Sequence, residues 1–227
     1  MKKNIMLAIL AFPLAGVSPQ AAHAQGTVYV SSLGLPSTGS ASVGSDSWLA
    51  ADFGTGTNAG GYLLNSVQLA LTNASGNPSG FTAMIYNVNP KSTAGAEPGS
   101  SLGTLNGSLE PVAGGIYTYS PASGLTLLPT TEYFIVLTAG TAVANGAYEW
   151  SYTSTRAPTL SGGWNGDHIL LSSSDGLRWG PGPGNGQFAI SATDVPEPST
   201  LGLLAMGGFF LVRQRRKCDP NGPLLRH

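Results

Sequence analysis

Hydrophobic and polar positions alternate with a period of two along most of this chain, and no stretch between the two ends carries the three-to-four-residue rhythm of an amphipathic helix. The clearest alternations are Val67, Leu69 and Leu71; Phe81, Ala83 and Ile85; Tyr133, Ile135 and Leu137; Tyr148, Trp150 and Tyr152; and Phe188 with Ile190. Each predicts a half-buried strand. Clusters of Gly, Pro, Asn and Ser separate them at Asn73 to Gly80, Pro90 to Ser101 and Gly180 to Gly186, and read as turns, the last as a mobile loop. Many short strands at this spacing predict an all-β fold, an antiparallel β-sandwich or jelly roll. No repeat of fixed period stands out.

The two ends break the pattern with continuous apolar runs, Ile5 to Ala15 and Leu201 to Val212. Behind Lys2 and Lys3, the first run leads to Ala22-His23-Ala24, a small-x-small cleavage site, so residues 1–24 read as a secretory signal peptide and Gln25 as the mature start. At eleven residues with Pro13 inside it, the run is too short to span a bilayer, which needs about 20 apolar residues. The second run makes about 18 Å of helix against a hydrocarbon core of about 30 Å, a short hydrophobic helix and a poor permanent anchor. The basic residues behind it, Arg213, Arg215, Arg216 and Lys217, act as a membrane stop held on the cytoplasmic side.

Composition sharpens this organisation. Of 227 residues, 32 are Gly, 16 are Pro and 9% are charged, short of the Gly and Pro content at which low-complexity chains begin. The overall charge of -1 hides an uneven distribution, because seven of the ten basic residues lie at the ends. Between Gln25 and Val195, Lys91, Arg156 and Arg178 face nine acidic residues. This acidic body offers no basic field for nucleic acid. The single cysteine, Cys218, lies behind the basic cluster, so the body is held without disulfides and at its size can bury its own core.

Ahead of the second apolar run stands Val195-Pro196-Glu197-Pro198-Ser199-Thr200. Each proline fixes φ and removes a backbone donor, so the segment projects as an extended peptide. Alone it would read as a juxtamembrane linker. Together with the apolar run and the Arg-rich end, residues 195–217 resemble the PEP-CTERM sorting signal of Gram-negative bacteria that make extracellular polysaccharide. The resemblance implies that an exosortase, a membrane-embedded protease, recognises Pro196, Glu197 and Pro198 and removes the tail. It also implies export through the Sec translocon, a transient stay in the inner membrane, then the cell surface or extracellular matrix, with exopolysaccharide as a partner. The chain departs from that pattern by continuing through residues 218–227.

The body, residues 25–194, carries in order Phe53-Gly-Thr-Gly56, Tyr62-Leu-Leu-Asn-Ser-Val67, Met84-Ile-Tyr86, Pro98-Gly99, Leu125 to Leu127, Thr131-Glu-Tyr-Phe-Ile-Val136, Tyr148-Glu-Trp150, Gly163-Trp164, and Ser174-Asp-Gly176 with Trp179. This order resembles the choice-of-anchor type R domain, an exported β module joined to various surface anchors. The resemblance implies a fold and a location and no chemistry.

Residues 99–103 fit the GxSxG pattern of a nucleophile elbow around Ser101, which requires a strand before and a helix after. Pro98 and Asn106-Gly107 flank it, so a loop leading into a strand is the better reading. His168, beside Asp167, is the lone histidine between Gln25 and Val195, which cannot supply a zinc site without cysteines. Asp46 with Asp52, or Asp167 with Asp175, are carboxylate pairs of a kind that could serve a glycosidase or hold calcium; solvated loop carboxylates are the default. Trp150 is expected in the core, while Trp164 and Trp179, among glycines, are the candidates for exposed stacking on a sugar ring. Asn73-Ala-Ser75 and Asn106-Gly-Ser108 fit the glycosylation acceptor pattern by composition alone. The sequence therefore predicts a non-enzymatic exported protein with no cofactor or metal. A carbohydrate-binding module is the second reading and a hydrolase the third.

Overall fold

The alternating stretches lie on strands, with Phe81 one residue ahead of its own. A computed structural model of the protein describes residues 26–92, 95–107 and 110–197. The expected signal peptide, Pro198, the Leu201 to Val212 run, the basic cluster and residues 218–227 lie outside the described residues. The strands are β1 (Thr27–Ser31), β2 (Gly39–Val43), β3 (Trp48–Gly54), β4 (Tyr62–Gly76), β5 (Thr82–Val88), β6 (Pro98–Gly107) and β7 (Gly115–Pro121). They continue with β8 (Thr126–Leu127), β9 (Glu132–Thr138), β10 (Gly146–Thr153), β11 (Thr159–Leu160), β12 (Ile169–Ser173), β13 (Gly180–Gly186) and β14 (Phe188–Asp194). One 3-10 turn, Val143–Asn145, precedes β10, and no α-helix occurs among the described residues. The protein is all-β, and every strand pairing is antiparallel.

The hydrogen-bonded order runs β4-β7-β6-β5-β9-β3-β12-β13-β10 and returns to β4, so these strands form a closed circuit. Closure depends on the 15 residues of β4, whose one edge pairs first with β14 and then, from Leu71 onward, with β10. Strands β1 and β11 extend the sheet beyond β14, and β2 lies on the other edge of β10. Closing the ladder leaves edges only to short flanking strands such as the two-residue β11 and the five-residue β2, which limits pairing with other chains.

The inner face of this circuit is one core containing Phe53, Val67, Leu69, Ile85, Ile135, Trp150, Leu170 and Phe188, all of them fully or almost fully buried. Strand β9 is buried on both faces. Tyr133, Ile135 and Leu137 point inward, while Phe134 and Val136 join Ala50 and Met84 in an outer layer covered by Trp48, Tyr86, Leu171 and Trp179. That is why its sequence is a continuous apolar run rather than a clean alternation.

Two loop expectations need correction. Residues 180–186 form strand β13, paired to β12 and β10, because the missing side chain at Gly186 lets the backbone pass directly over the core. A Cβ there would lie 2.9 Å from Cζ2 of Trp150 and 3.0 Å from Cδ2 of Leu170. The Asn73 to Gly80 and Pro90 to Ser101 clusters are likewise shorter as turns, since β4 runs on through Gly76 and β6 begins at Pro98. Cross-strand hydrogen bonds outweigh the weak strand propensity of those residues.

Candidate functional site

Strand β14 leads straight into the Pro-Glu-Pro segment, with the described chain leaving the body at Val195. The Val195 amide donates to the Gly61 carbonyl at 3.0 Å, and Asn58 Nδ2 donates to the Val195 carbonyl at 3.1 Å. The same Nδ2 donates to the Gly61 carbonyl at 2.6 Å, and Gly61 returns its amide to the Asn58 carbonyl at 2.8 Å. This turn needs its glycines: Gly61 has φ of +75°, and a Cβ on Gly60 would collide with the Val195 carbonyl. One residue upstream, the Tyr29 hydroxyl donates to Asp194 at 2.7 Å. Burial, then the Asp194 carboxylate, pushes the Tyr29 hydroxyl up to about 12, so the bond persists across the physiological range.

Pro196 cannot extend the ladder because it has no N–H to donate. Pairing stops there, and Pro196 and Glu197 are exposed. Strand β1 begins beside the end of β14, with Thr27 opposite Ala192, so the chain enters and leaves the described body at the same end.

The remaining candidates fall elsewhere. Trp164 corrects the expectation of exposure: it is 3% exposed, lying between Tyr29 at 4.8 Å and Phe53 at 6.0 Å with nearly parallel rings. Both indole faces are occupied, so no sugar ring can stack there. Trp179 is half-buried on the outer apolar layer. Ser101 stands on β6 opposite Tyr86, exposed and within a strand rather than at a strand-to-helix turn. His168 is buried against Phe188, and its ring nitrogens have no hydrogen-bond partner. Burial drives its imidazole down to about 4, so it is neutral at physiological pH.

The carboxylates regroup. Asp46 accepts the Val143 amide at 2.8 Å and Asp175 accepts the Leu177 amide at 2.9 Å, each fixing a turn. Backbone donation, from Leu177 foremost, holds Asp175 below its usual range. Asp52 instead faces Asp167, whose amide donates to it at 3.1 Å, and both line a cleft of about 190 Å³ with Glu132, Phe134, Ile169 and Leu171. Burial first, and then the Asp167 charge, pushes Asp52 up; burial followed by Asp52 and Asp167 does the same to Glu132. Sequence spacing missed this trio because its members come from different strands and one loop. The available signal was Asp52 as a lone acid inside the apolar stretch Trp48 to Phe53.

Comparison with known proteins matches residues 194–217 to the PEP-CTERM protein-sorting motif. No curated protein and no solved structure matches the chain. The match begins at the last residue of β14, so the folded body ends where the signal begins. A signal of this kind implies an exported protein, sorted by an exosortase at the membrane and delivered to the cell surface.

Proposed function

We propose that the protein is a non-enzymatic component of the cell surface or extracellular matrix, associated with exopolysaccharide and processed at Pro196-Glu197-Pro198. The observation that carries this reading is the abutment of β14 and the sorting motif, which makes the β body the cargo and leaves no further domain between the two. The body is read as a jelly-roll-like sandwich whose halves share β4, in keeping with its likeness to choice-of-anchor type R domains. An enzyme reading is disfavoured by Ser101 standing in mid-strand and by His168 facing the core. Mass spectrometry of the surface form tests the proposal. It should begin at Gln25 and end before Leu201; a surface form keeping Met1 or the whole tail would overturn it.

A carbohydrate-binding module is the second reading, favoured by Trp179 and Trp48 over the outer apolar layer. A glycan titration of residues 25–194 separates the two. Binding that Trp179→Ala abolishes would establish the module, and a flat titration would leave the matrix component.

A further inference from the structure

The end of the body at which Val195 leaves exposes several large apolar side chains beside the chain exit. Leu102 and Leu128 are 41% and 62% exposed and line an open depression of about 610 Å³ with Val88, Leu125 and Tyr133. Nearby on the outer face, Val28 on β1 and Leu63 on β4 are 49% and 39% exposed. Strand pairing places them together: Leu63 is opposite Thr193 and Thr126, and Val28 is opposite Ser191. Val112, Ile116 and Leu177 are also exposed, at 58%, 58% and 81%, but lie away from the chain exit, so what sets the residues at this end apart is their place beside the segment that leads to the apolar run.

The chain length beyond the clasp says what this end faces. Val195 is fixed to the Asn58–Gly61 turn, and the apolar run begins at Leu201. Even fully extended, the intervening residues reach only about 20 Å. The far end of the body, at the Val143–Asn145 turn beside the end of β4, is on the order of 45 Å away along that strand. If Leu201 enters a bilayer, the end bearing Val195 must lie within about 20 Å of the lipid surface, a constraint the far end does not share.

We propose that this rim, formed by the Asn58–Gly61 turn, Leu63, Leu102, Leu125 and Leu128, is a membrane-facing surface that lies against lipid headgroups in the precursor. The Asn58 hydrogen bond to Val195 acts as a positioning contact that holds the body there. The inference rests on the sorting reading insofar as residues 201–212 insert into the membrane, and on nothing about their later removal.

The test uses the full chain with Cys218→Ser and a single fluorescent label at Leu128→Cys or Ala144→Cys, both exposed sites. The carriers are phosphatidylethanolamine and phosphatidylglycerol vesicles containing headgroup-nitroxide lipid. The Leu128 label should be quenched several-fold more than the Ala144 label. Inserting about twelve Gly and Ser residues between Val195 and Pro196, adding roughly 20 Å of reach, should erase most of the difference. Equal quenching at both sites, a difference that survives the insertion, or failure of the chain to float with the vesicles overturns the proposal. A Leu128 label shielded from a water-soluble quencher but untouched by the lipid would assign the surface to a protein instead. Replacing Pro196, Glu197 and Pro198 by Ala should leave the quenching pattern unchanged while blocking processing in cells. Loss of the sorting reading and loss of the membrane-facing rim are thus separate results.

Discussion

The imidazole of His168 lies against the ring of Phe188, with centroids 4.5 Å apart and planes inclined by 38°. Its pKa of about 4 in the folded protein is below the ordinary 6.5, so the unfolded chain binds more protons between those values. Its contribution to stability is whole above about pH 6.5 and is lost as pH falls toward 4, by about 3 kcal/mol at the lower limit. His168→Asn, which tolerates the left-handed backbone at φ of 57°, should remove that part of the acid sensitivity. Urea unfolding of both proteins at about pH 7 and about pH 4.5 checks it. An unchanged difference between the two pH values in the variant would show that the imidazole is not the titrating group.

Asp52 acts in the opposite direction. Its carboxyl is pushed up by burial and by Asp167, so the native state holds a proton more readily than the unfolded chain, and the penalty is present at neutral pH and relieved as pH falls through the raised value. Asp52→Asn keeps an oxygen to accept the Asp167 amide while discarding the charge. The variant should melt a few degrees higher than wild type at neutral pH, with the gap closing in acid. A lower melting temperature at neutral pH would mean that the carboxylate has a stabilising partner.

Gly186 and Gly180 occupy the same strand but differ in surroundings. A Cβ at Gly186 meets Trp150 and Leu170, whereas one at Gly180 meets nothing within 4 Å. Gly186→Ala should cost about 1–3 kcal/mol through overpacking, and Gly180→Ala should be close to neutral. Chemical denaturation of the two variants compares them directly. Equal stabilities would mean that β13 does not pass over the core as described.

The physical basis of these predictions was unevenly legible in the sequence. Alternation located β4, β5, β10 and β14 because one of their faces meets a continuous core, and a period of two is the direct imprint of that burial. Tyr133, Ile135 and Leu137 also located β9, but its second face is buried too, so it is not the half-buried strand expected. Strand β13 was illegible, because glycine and proline suppress the alternation and its reason for being a strand lies in Trp150 beneath it. The burial of Trp164 escapes the sequence for a related reason. Its glycine neighbours signalled a loop correctly, but whether a loop residue folds inward depends on Tyr29 and Phe53, which are distant in sequence. The sorting segment was legible because proline acts locally, whereas the Asn58 clasp on Val195 spans 137 positions and leaves no local trace.

The sorting segment gives the most discriminating prediction. Pro196 ends the β14 ladder by lacking a donor, and the motif continues as backbone that cannot re-enter a sheet or a helix. Recognition by a protease should therefore depend on the rigid Pro196-Glu197-Pro198 backbone, while the Arg213 to Lys217 cluster sets which side of the membrane the tail remains on. Replacing all three motif residues by Ala should leave an unprocessed precursor in the inner membrane. The body should be unaffected, because Val195 keeps both of its hydrogen bonds to the Asn58–Gly61 turn. Neutralising the Arg cluster should produce a different defect, a tail that slips out of the membrane while its motif is intact. Fractionation and intact-mass measurement on the three strains distinguish these outcomes, with thermal melting of the purified body as the control for folding. A triple-Ala protein that reaches the surface with the wild-type tail removed would show that the prolines serve only as a linker.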